Sequence, residues 1–199
     1  MAKLIFNYAA MNSGKTMDLI RTRYNYMEHN LKSLLLKPSN DTKAGDKIET
    51  RAGLSCKVDF LINKEENLYE FLKKIIKIKE IKCIFIDEAQ FLSEKQVIEL
   101  FIFCNTFDIP VICYGLRTDF RGELFEGSKT LLALAEELNE FKTLCNCGEI
   151  ARFNARKVNG KYVVDGNKVE IDNQNDIKYV PLCAKCFTKK IMKKIYIKK

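Results

Sequence analysis

A chain of 199 residues with 47% hydrophobic content builds one ordinary domain with room for a small appendage. Its 34 lysines and arginines against 26 acids leave a net charge of +8, which suits a polyanionic ligand such as a nucleotide or nucleic acid. It has no internal repeat, no low-complexity stretch, no apolar run of membrane-spanning length and no charged-then-apolar leader, so a soluble, cytoplasmic protein without a membrane partner is expected.

The chain opens on Leu4-Ile5-Phe6-Asn7-Tyr8-Ala9-Ala10-Met11-Asn12-Ser13-Gly14-Lys15-Thr16, an apolar run followed by small residues and Gly-Lys-Thr. Met17, Leu19, Ile20 and Tyr24 continue it at helical spacing. Strand, tight loop and helix in this order make a P-loop, whose backbone N–H groups and helix N-terminus cradle phosphates. Lys15 is expected to reach the outer phosphates and the Thr16 hydroxyl to hold Mg²⁺. The pattern departs from G-x-x-x-x-G-K-S/T at its first glycine, where Ala9 stands. His29, the single histidine, falls near the end of this helix, where a cation suits the dipole, and no catalytic role is expected of it.

Lys32 to Lys37 reads as a short buried strand, and Pro38 to Gly53 as a mobile polar loop. Within that loop Asp41 and Arg51 are either solvated charges or neighbours of a phosphate and its metal. Cys56 to Ile62 alternates loosely, as a strand does. Asn63 with Glu66 is a helix-start signature ahead of an apolar face made by Leu68, Phe71, Leu72, Ile75 and Ile76. The unbroken apolar run of Lys82-Cys83-Ile84-Phe85-Ile86-Asp87-Glu88-Ala89-Gln90-Phe91 reads as a central parallel strand with an acidic tip. Ser93 with Gln96 caps a helix carrying Val97, Leu100, Phe101 and Cys104; Ile109 to Leu116 is a further strand and Ser128 to Leu138 a further helix. Alternating strands and helices predict an α/β fold, a doubly wound parallel sheet with helices on both faces. Ligands in such sheets sit beyond the carboxyl ends of the strands, where the P-loop, Asp87-Glu88 and the loop from Arg117 all fall.

Asp87, at the strand tip, has the place of the acid that holds Mg²⁺. Glu88 is placed to take a proton from an attacking hydroxyl, which makes a small-molecule kinase, or from water, which makes an ATPase. Asp87-Glu88-Ala89-Gln90 also looks like a helicase box, although a helicase needs two such domains and this chain has room for one. The segment from Tyr114 to Phe125 mixes Arg117 and Arg121 with Phe120 and Phe125 directly after a strand. Such arginines either stabilise a transferring phosphoryl group or sit exposed, and Phe120 either stacks on a flat base or packs.

Cys83, Cys104 and Cys113 lie in apolar runs and are expected to be buried thiols. Cys145-Asn146-Cys147 and Cys183-Ala184-Lys185-Cys186 are two close pairs separated by 35 residues, the make-up of a closed, structural four-cysteine zinc site, the alternatives being a disulfide or free thiols. Between them, 152–158, 161–164 and 168–172 read as short strands around the hairpin dipeptides Asn159-Gly160 and Asp165-Gly166, a zinc ribbon too small to hold a core without metal. The expected division is 1–143 for the nucleotide-binding domain, 144–190 for the zinc ribbon and 191–199 for a basic tail. Cys183 to Lys199 holds seven lysines and no acid.

Taken together, the P-loop, the Asp87–Phe91 string, Gly115-Leu116-Arg117-Thr118-Asp119-Phe120-Arg121-Gly122 and the cysteine pairs closely resemble the cytosolic, zinc-containing thymidine kinases, over nearly the whole chain to about Cys186. The resemblance implies a RecA-like P-loop NTPase sheet with a zinc-ribbon lasso. It also implies transfer of the γ-phosphoryl group of ATP, with Mg²⁺ at Thr16 and Asp87, to the 5′-hydroxyl of thymidine, Glu88 being the general base. ATP contacts are implied for Ala9, Ala10, Met11, Asn12, Ser13, Gly14, Lys15, Thr16, Asp87, Glu88, Ala89 and Gln90. Met11, Phe91, Leu116, Phe120 and Phe125 match the walls of the nucleoside pocket, Arg51 and Asp41 match polar residues near the phosphates, and Tyr179 matches a tyrosine of the lasso. A homotetramer, feedback inhibition by thymidine triphosphate, structural Zn²⁺ on Cys145, Cys147, Cys183 and Cys186, and no nucleic-acid partner are implied as well. The chain departs from the family pattern at Ala9, at the Cys-x-Cys spacing, and at Asn173-Gln174 in place of Gly-Gly. The rival reading from another class is a zinc-ribbon ATPase acting on nucleic acid.

Overall fold

The computed structural model describes residues 1–40, 45–166 and 176–197. Asp41, the strand expected over 168–172 and the Asn173-Gln174 pair lie outside the described residues. Strand β1, Leu4–Ala9, leads into helix α1, Lys15–Glu28. Next come β2, Ser33–Pro38, and the short strands β3, Lys47–Glu49, β4, Ser55–Lys57, and β5, Phe60–Ile62. Helix α2, Leu68–Ile78, then alternates with β6, Cys83–Ile86, helix α3, Glu94–Phe107, and β7, Val111–Leu116. Helix α4, Glu126–Leu134, precedes β8, Glu137–Phe141. The remaining strands are β9, Thr143–Leu144, β10, Ile150–Ala151, β11, Phe153–Val158, β12, Lys161–Val163, and β13, Ile177–Leu182. Helix α5, Ala184–Phe187, continues through a π-helical turn, Thr188–Met192, into α6, Lys193–Tyr196.

Packing divides the chain into two compact units. The first comprises Met1–Tyr8, Gly14–Gly115 and Glu126–Glu140. Its sheet has the order β5-β2-β6-β7-β1-β8, with β2 parallel to β5 and β6, and β6 parallel to β7. Helices cover both faces of such a sheet, which explains why Leu34, Leu35, Leu36 and the whole of Cys83–Ile86 are buried without alternation. Burial pushes the Cys83 thiol up to about 12 and the Cys104 thiol up to about 11, as inert core cysteines. Ser93 and Gln96 cap α3 reciprocally, Gln96 N donating to Ser93 Oγ and Ser93 N to Gln96 Oε1, both at 3.2 Å.

Four local expectations change. The stretch expected as one strand over 56–62 breaks in two at Val58-Asp59. Val58 N donates to Asp46 O, keeping β4 beside β3, while Asp59 N donates to Leu35 O and turns the chain into the large sheet. The Asp59 carboxylate holds that corner by accepting from Leu35 N at 2.7 Å and Arg23 Nη2 at 2.8 Å. The antiparallel β3–β4 pair also gives regular structure to part of the stretch expected as a loop. Helix α2 starts from Asn67, whose side chain accepts from Glu70 N, not from Asn63. The last expected helix stops at Leu134 because Glu136 N donates to Leu4 O at 2.9 Å, drawing the chain into the edge strand β8.

The second unit comprises Ala9–Ser13, Leu116–Phe125 and Phe141–Lys199. Its three-stranded antiparallel sheet has the order β12-β11-β13. Asn159 and Gly160, with φ of 48° and 74°, make the tight turn between β11 and β12 that this dipeptide favours. β13 was not anticipated; it pairs with β11 from Phe153↔Leu182 to Val158↔Ile177. The core of the unit is Ala151, Ala155, Leu182, Phe187 and Ile191, with Phe153 and Phe187 stacked at 4.7 Å. The described part of the lysine-rich end is therefore folded: Ile191 is fully buried, Lys190 Nζ donates to Tyr162 Oη at 3.0 Å and Lys194 Nζ to Tyr162 O at 2.9 Å.

Candidate active site and metal centre

The P-loop makes its sharpest demands on the backbone at Asn12 and Gly14, with φ of 62° and 83°. Glycine reaches the left-handed region without cost and asparagine tolerates it. Ala9 is the last residue of β1 and has no positive φ, so the usual first glycine is not needed there. Gly14 is the N-cap of α1, which places Lys15 and Thr16 in its first turn, the kind of position at which backbone N–H groups bind an anion.

β6 ends at Asp87, which is buried and whose N–H donates to Leu36 O at 3.0 Å. Glu88 follows with φ 50° and ψ 37°, a left-handed conformation that costs a non-glycine residue about 1–2 kcal/mol. Backbone strain of this kind gathers at functional sites. Burial pulls the Lys15 ammonium below the usual lysine value, and the carboxylates of Glu88 and then Asp87 pull it back up. The P-loop lysine and both acids of the β6 tip therefore share one site within the first unit. Asp87 and Thr16 bring hard oxygen donors, the type that Mg²⁺ takes. The buried Gln90 amide donates to Glu88 Oε2, and Phe91, half-buried, ends the 3₁₀ turn that begins at Ala89. Arg51 is exposed, in the turn that joins β3 to β4.

The other site candidates belong to the second unit. Met11 and Leu116 are half-buried there, Phe125 is buried, and Phe120 is 1% exposed. The Arg156 guanidinium lies 3.9 Å from the Phe120 ring centroid, and Tyr179 stands opposite Arg156 in the β11–β13 register. Arg121 pairs with Asp119 at 3.4 Å and Glu123 at 3.6 Å, and Arg117 donates to Arg152 O at 3.4 Å, so both arginines of this loop are engaged locally. Asn154, also buried, accepts from the P-loop N–H of Met11 at 2.8 Å and donates to Thr118 O at 3.3 Å. Thr143 Oγ1 donates to Asn12 O at 2.9 Å. Asn154 and Arg156 went unrecognised in the sequence because a polar residue in a hairpin strand signals a face and nothing about what that face touches.

Cys145, Cys147, Cys183 and Cys186 bring their sulfur atoms within 4.8 Å of one another. Cys147 Sγ lies 3.6 Å from Cys183 Sγ and 3.7 Å from Cys186 Sγ. These are not disulfide distances, whereas four thiolates about 2.3 Å from one zinc ion stand about 3.8 Å apart. Burial raises the Cys145 thiol, but hydrogen bonds from Cys147, Cys183 and Cys186 together outweigh it and hold the group at about 6, while Cys186 is pushed up to about 12 by its thiol neighbours. Four thiolates repel each other unless a cation sits among them, and the cluster fits a structural zinc ion.

A sequence model of the family described as "Thymidine kinase" matches residues 2–187. The chain belongs to the thymidine kinase family. It is 45% identical over 186 residues to a thymidine kinase of Legionella pneumophila, covering 92% of this chain and 88% of that one. It is 43% identical over 187 residues to the thymidine kinase of Enterobacteria phage T4, covering 93% and 95%, and 42% identical over 192 residues to that of Mannheimia succiniciproducens, covering 96% and 97%. The thymidine kinase match spans every site candidate from Ala9 to Cys186 and ends at 187, just before the π-helical turn. Among the described residues no helix is long and apolar enough to cross a membrane.

Proposed function

We propose that this chain transfers the γ-phosphoryl group of ATP to the 5′-hydroxyl of thymidine, giving thymidine monophosphate and ADP. The observation that carries the reading is the grouping of Lys15 with Asp87 and Glu88 in a chain of this family. The Glu88 carboxylate accepts the proton of the 5′-hydroxyl as its oxygen bonds to the γ-phosphorus, and the bond from that phosphorus to the β,γ-bridging oxygen breaks, leaving ADP. Lys15 and the N–H groups of the P-loop hold the phosphates in line for that attack. Thr16 and Asp87 are the residues that would hold Mg²⁺ with ATP, and the ion would supply positive charge against the transferring phosphoryl group. Met11, Phe91, Leu116, Phe120, Phe125 and Tyr179 are assigned to the nucleoside pocket, and Arg51 to the phosphate side. Family resemblance further supports a cytoplasmic homotetramer inhibited by thymidine triphosphate.

The test is transfer of labelled γ-phosphate from ATP·Mg²⁺, with thymidine, deoxyuridine, deoxycytidine and water as competing acceptors. Labelled thymidine monophosphate is the expected product. ATP loss that rises with added nucleic acid, with no nucleoside product, overturns the reading in favour of a nucleic-acid ATPase. In the same assay Lys15→Ala is expected to weaken ATP binding about ten- to hundredfold, the worth of a charged hydrogen bond of about 1.5–3 kcal/mol. An unchanged Kd for ATP removes Lys15 from the phosphate site.

A further inference from the structure

The turn after β6 is built more tightly than an acid at a strand tip requires. Gln90 is 2% exposed, and its Nε2 donates to Oε2 of Glu88. Gly115, the penultimate residue of β7, makes the room for that side chain: a Cβ there would stand 2.8 Å from Gln90 Oε1 and 3.1 Å from Gln90 N. Gly127, in the first turn of α4, lies so close to the same turn that a Cβ would meet the carbonyl oxygens of Ala89, Leu92 and Gln90 at 2.5, 2.8 and 3.1 Å. Neither glycine has a positive φ, so each is selected by close approach and not by backbone conformation.

We infer that Gln90 is a positioning residue for the Glu88 carboxylate rather than a nucleotide contact, and that Gly115 and Gly127 set the turn that carries both. A glutamate side chain on its own samples several rotamers, and an amide held in a buried slot removes that freedom. The Gln90 amide takes Oε2, so Oε1 is the oxygen offered to the acceptor hydroxyl. The left-handed backbone at Glu88 and the two glycines then have one purpose, to hold a proton acceptor in a single direction. This rests on the reading of Glu88 as the base.

The test compares Gln90→Met, which keeps length and loses the amide, with Gly115→Ala, which displaces the amide without deleting it. Wild-type enzyme is first shown to make thymidine monophosphate; failure there overturns the kinase reading and not this inference. Both variants are expected to lose about ten- to hundredfold in kcat, the scale of a misaligned reacting group, with KM for ATP and thymidine within about twofold of wild type. In a Glu88→Gln background, Gln90→Met is expected to cost nothing further, because it acts through a group already removed. Three outcomes overturn the inference: unchanged kcat in both variants, a raised KM for ATP at unchanged kcat, or a full loss from Gln90→Met in the Glu88→Gln background. If Gln90→Met does not fold, Gly115→Ala alone decides by the same split between kcat and KM.

Discussion

Glu88→Gln is expected to cut turnover by about 10²–10⁴ while leaving ATP binding at neutral pH nearly intact, because general-base catalysis is worth that much and the amide replaces nothing else. Glutamine has the same shape, meets the same left-handed backbone as Glu88 does at φ 50°, and still accepts from the Gln90 amide through its carbonyl oxygen. One electrostatic consequence separates this variant from a merely inactive one. Burial lowers the Lys15 pKa and Glu88 is the larger of the two opposing influences. Without that carboxylate the ammonium loses its proton at lower pH, so ATP binding by Glu88→Gln should begin to weaken at lower pH than in wild type as pH rises. Rapid-quench measurement of product formation checks the first claim, and ATP titrations from neutral to alkaline pH check the second. Full turnover in Glu88→Gln removes the residue from proton transfer; coincident pH curves for ATP binding remove its coupling to Lys15.

Cys183→Ser is expected to lower zinc well below one per chain and, with it, to cost about two orders of magnitude or more in kcat/KM for thymidine. Structural zinc contributes roughly 10–16 kcal/mol of apparent folding free energy in small metal-dependent units, far more than the small core around Ala155, Leu182, Phe187 and Ile191 replaces. The consequence reaches the reaction through particular residues of the second unit. β11 carries Asn154, which binds the P-loop N–H of Met11 and the carbonyl of Thr118, and Arg156, which lies against Phe120. Loss of the β12-β11-β13 sheet releases all of these, and misplacement by an ångström suffices for a hundredfold effect. A strong chelator is expected to reproduce the result on wild-type enzyme, with zinc restoring activity. Metal analysis that still finds one zinc per chain in Cys183→Ser eliminates the four-cysteine site. Intact kinetics after complete zinc loss eliminates its link to the nucleoside pocket.

The P-loop, the acidic tip of β6 and the cysteine pairs were readable because each is a local pattern whose spacing carries its own chemistry. Gly-Lys-Thr after a buried strand, two acids at the end of an apolar run and two close thiol pairs need no tertiary information to be recognised. The α/β class followed from apolar runs alternating with helical spacing, which reflects a parallel sheet buried on both faces. The same signals were blind where long-range hydrogen bonds decide. Asp59 splits one expected strand by binding Leu35, Glu136 ends the last expected helix by joining β1, and β13 exists because β11 is there to pair with it. Ile191 reads as one apolar residue among lysines, yet it is fully buried in the core of the second unit. The parts of the site that orient reacting groups are of this second kind. A glutamine two residues after an acid, a glycine in β7 and another in α4 acquire meaning only when the fold packs both glycines against the turn that carries the glutamine, because close approach is a property of packing and leaves no period in a sequence.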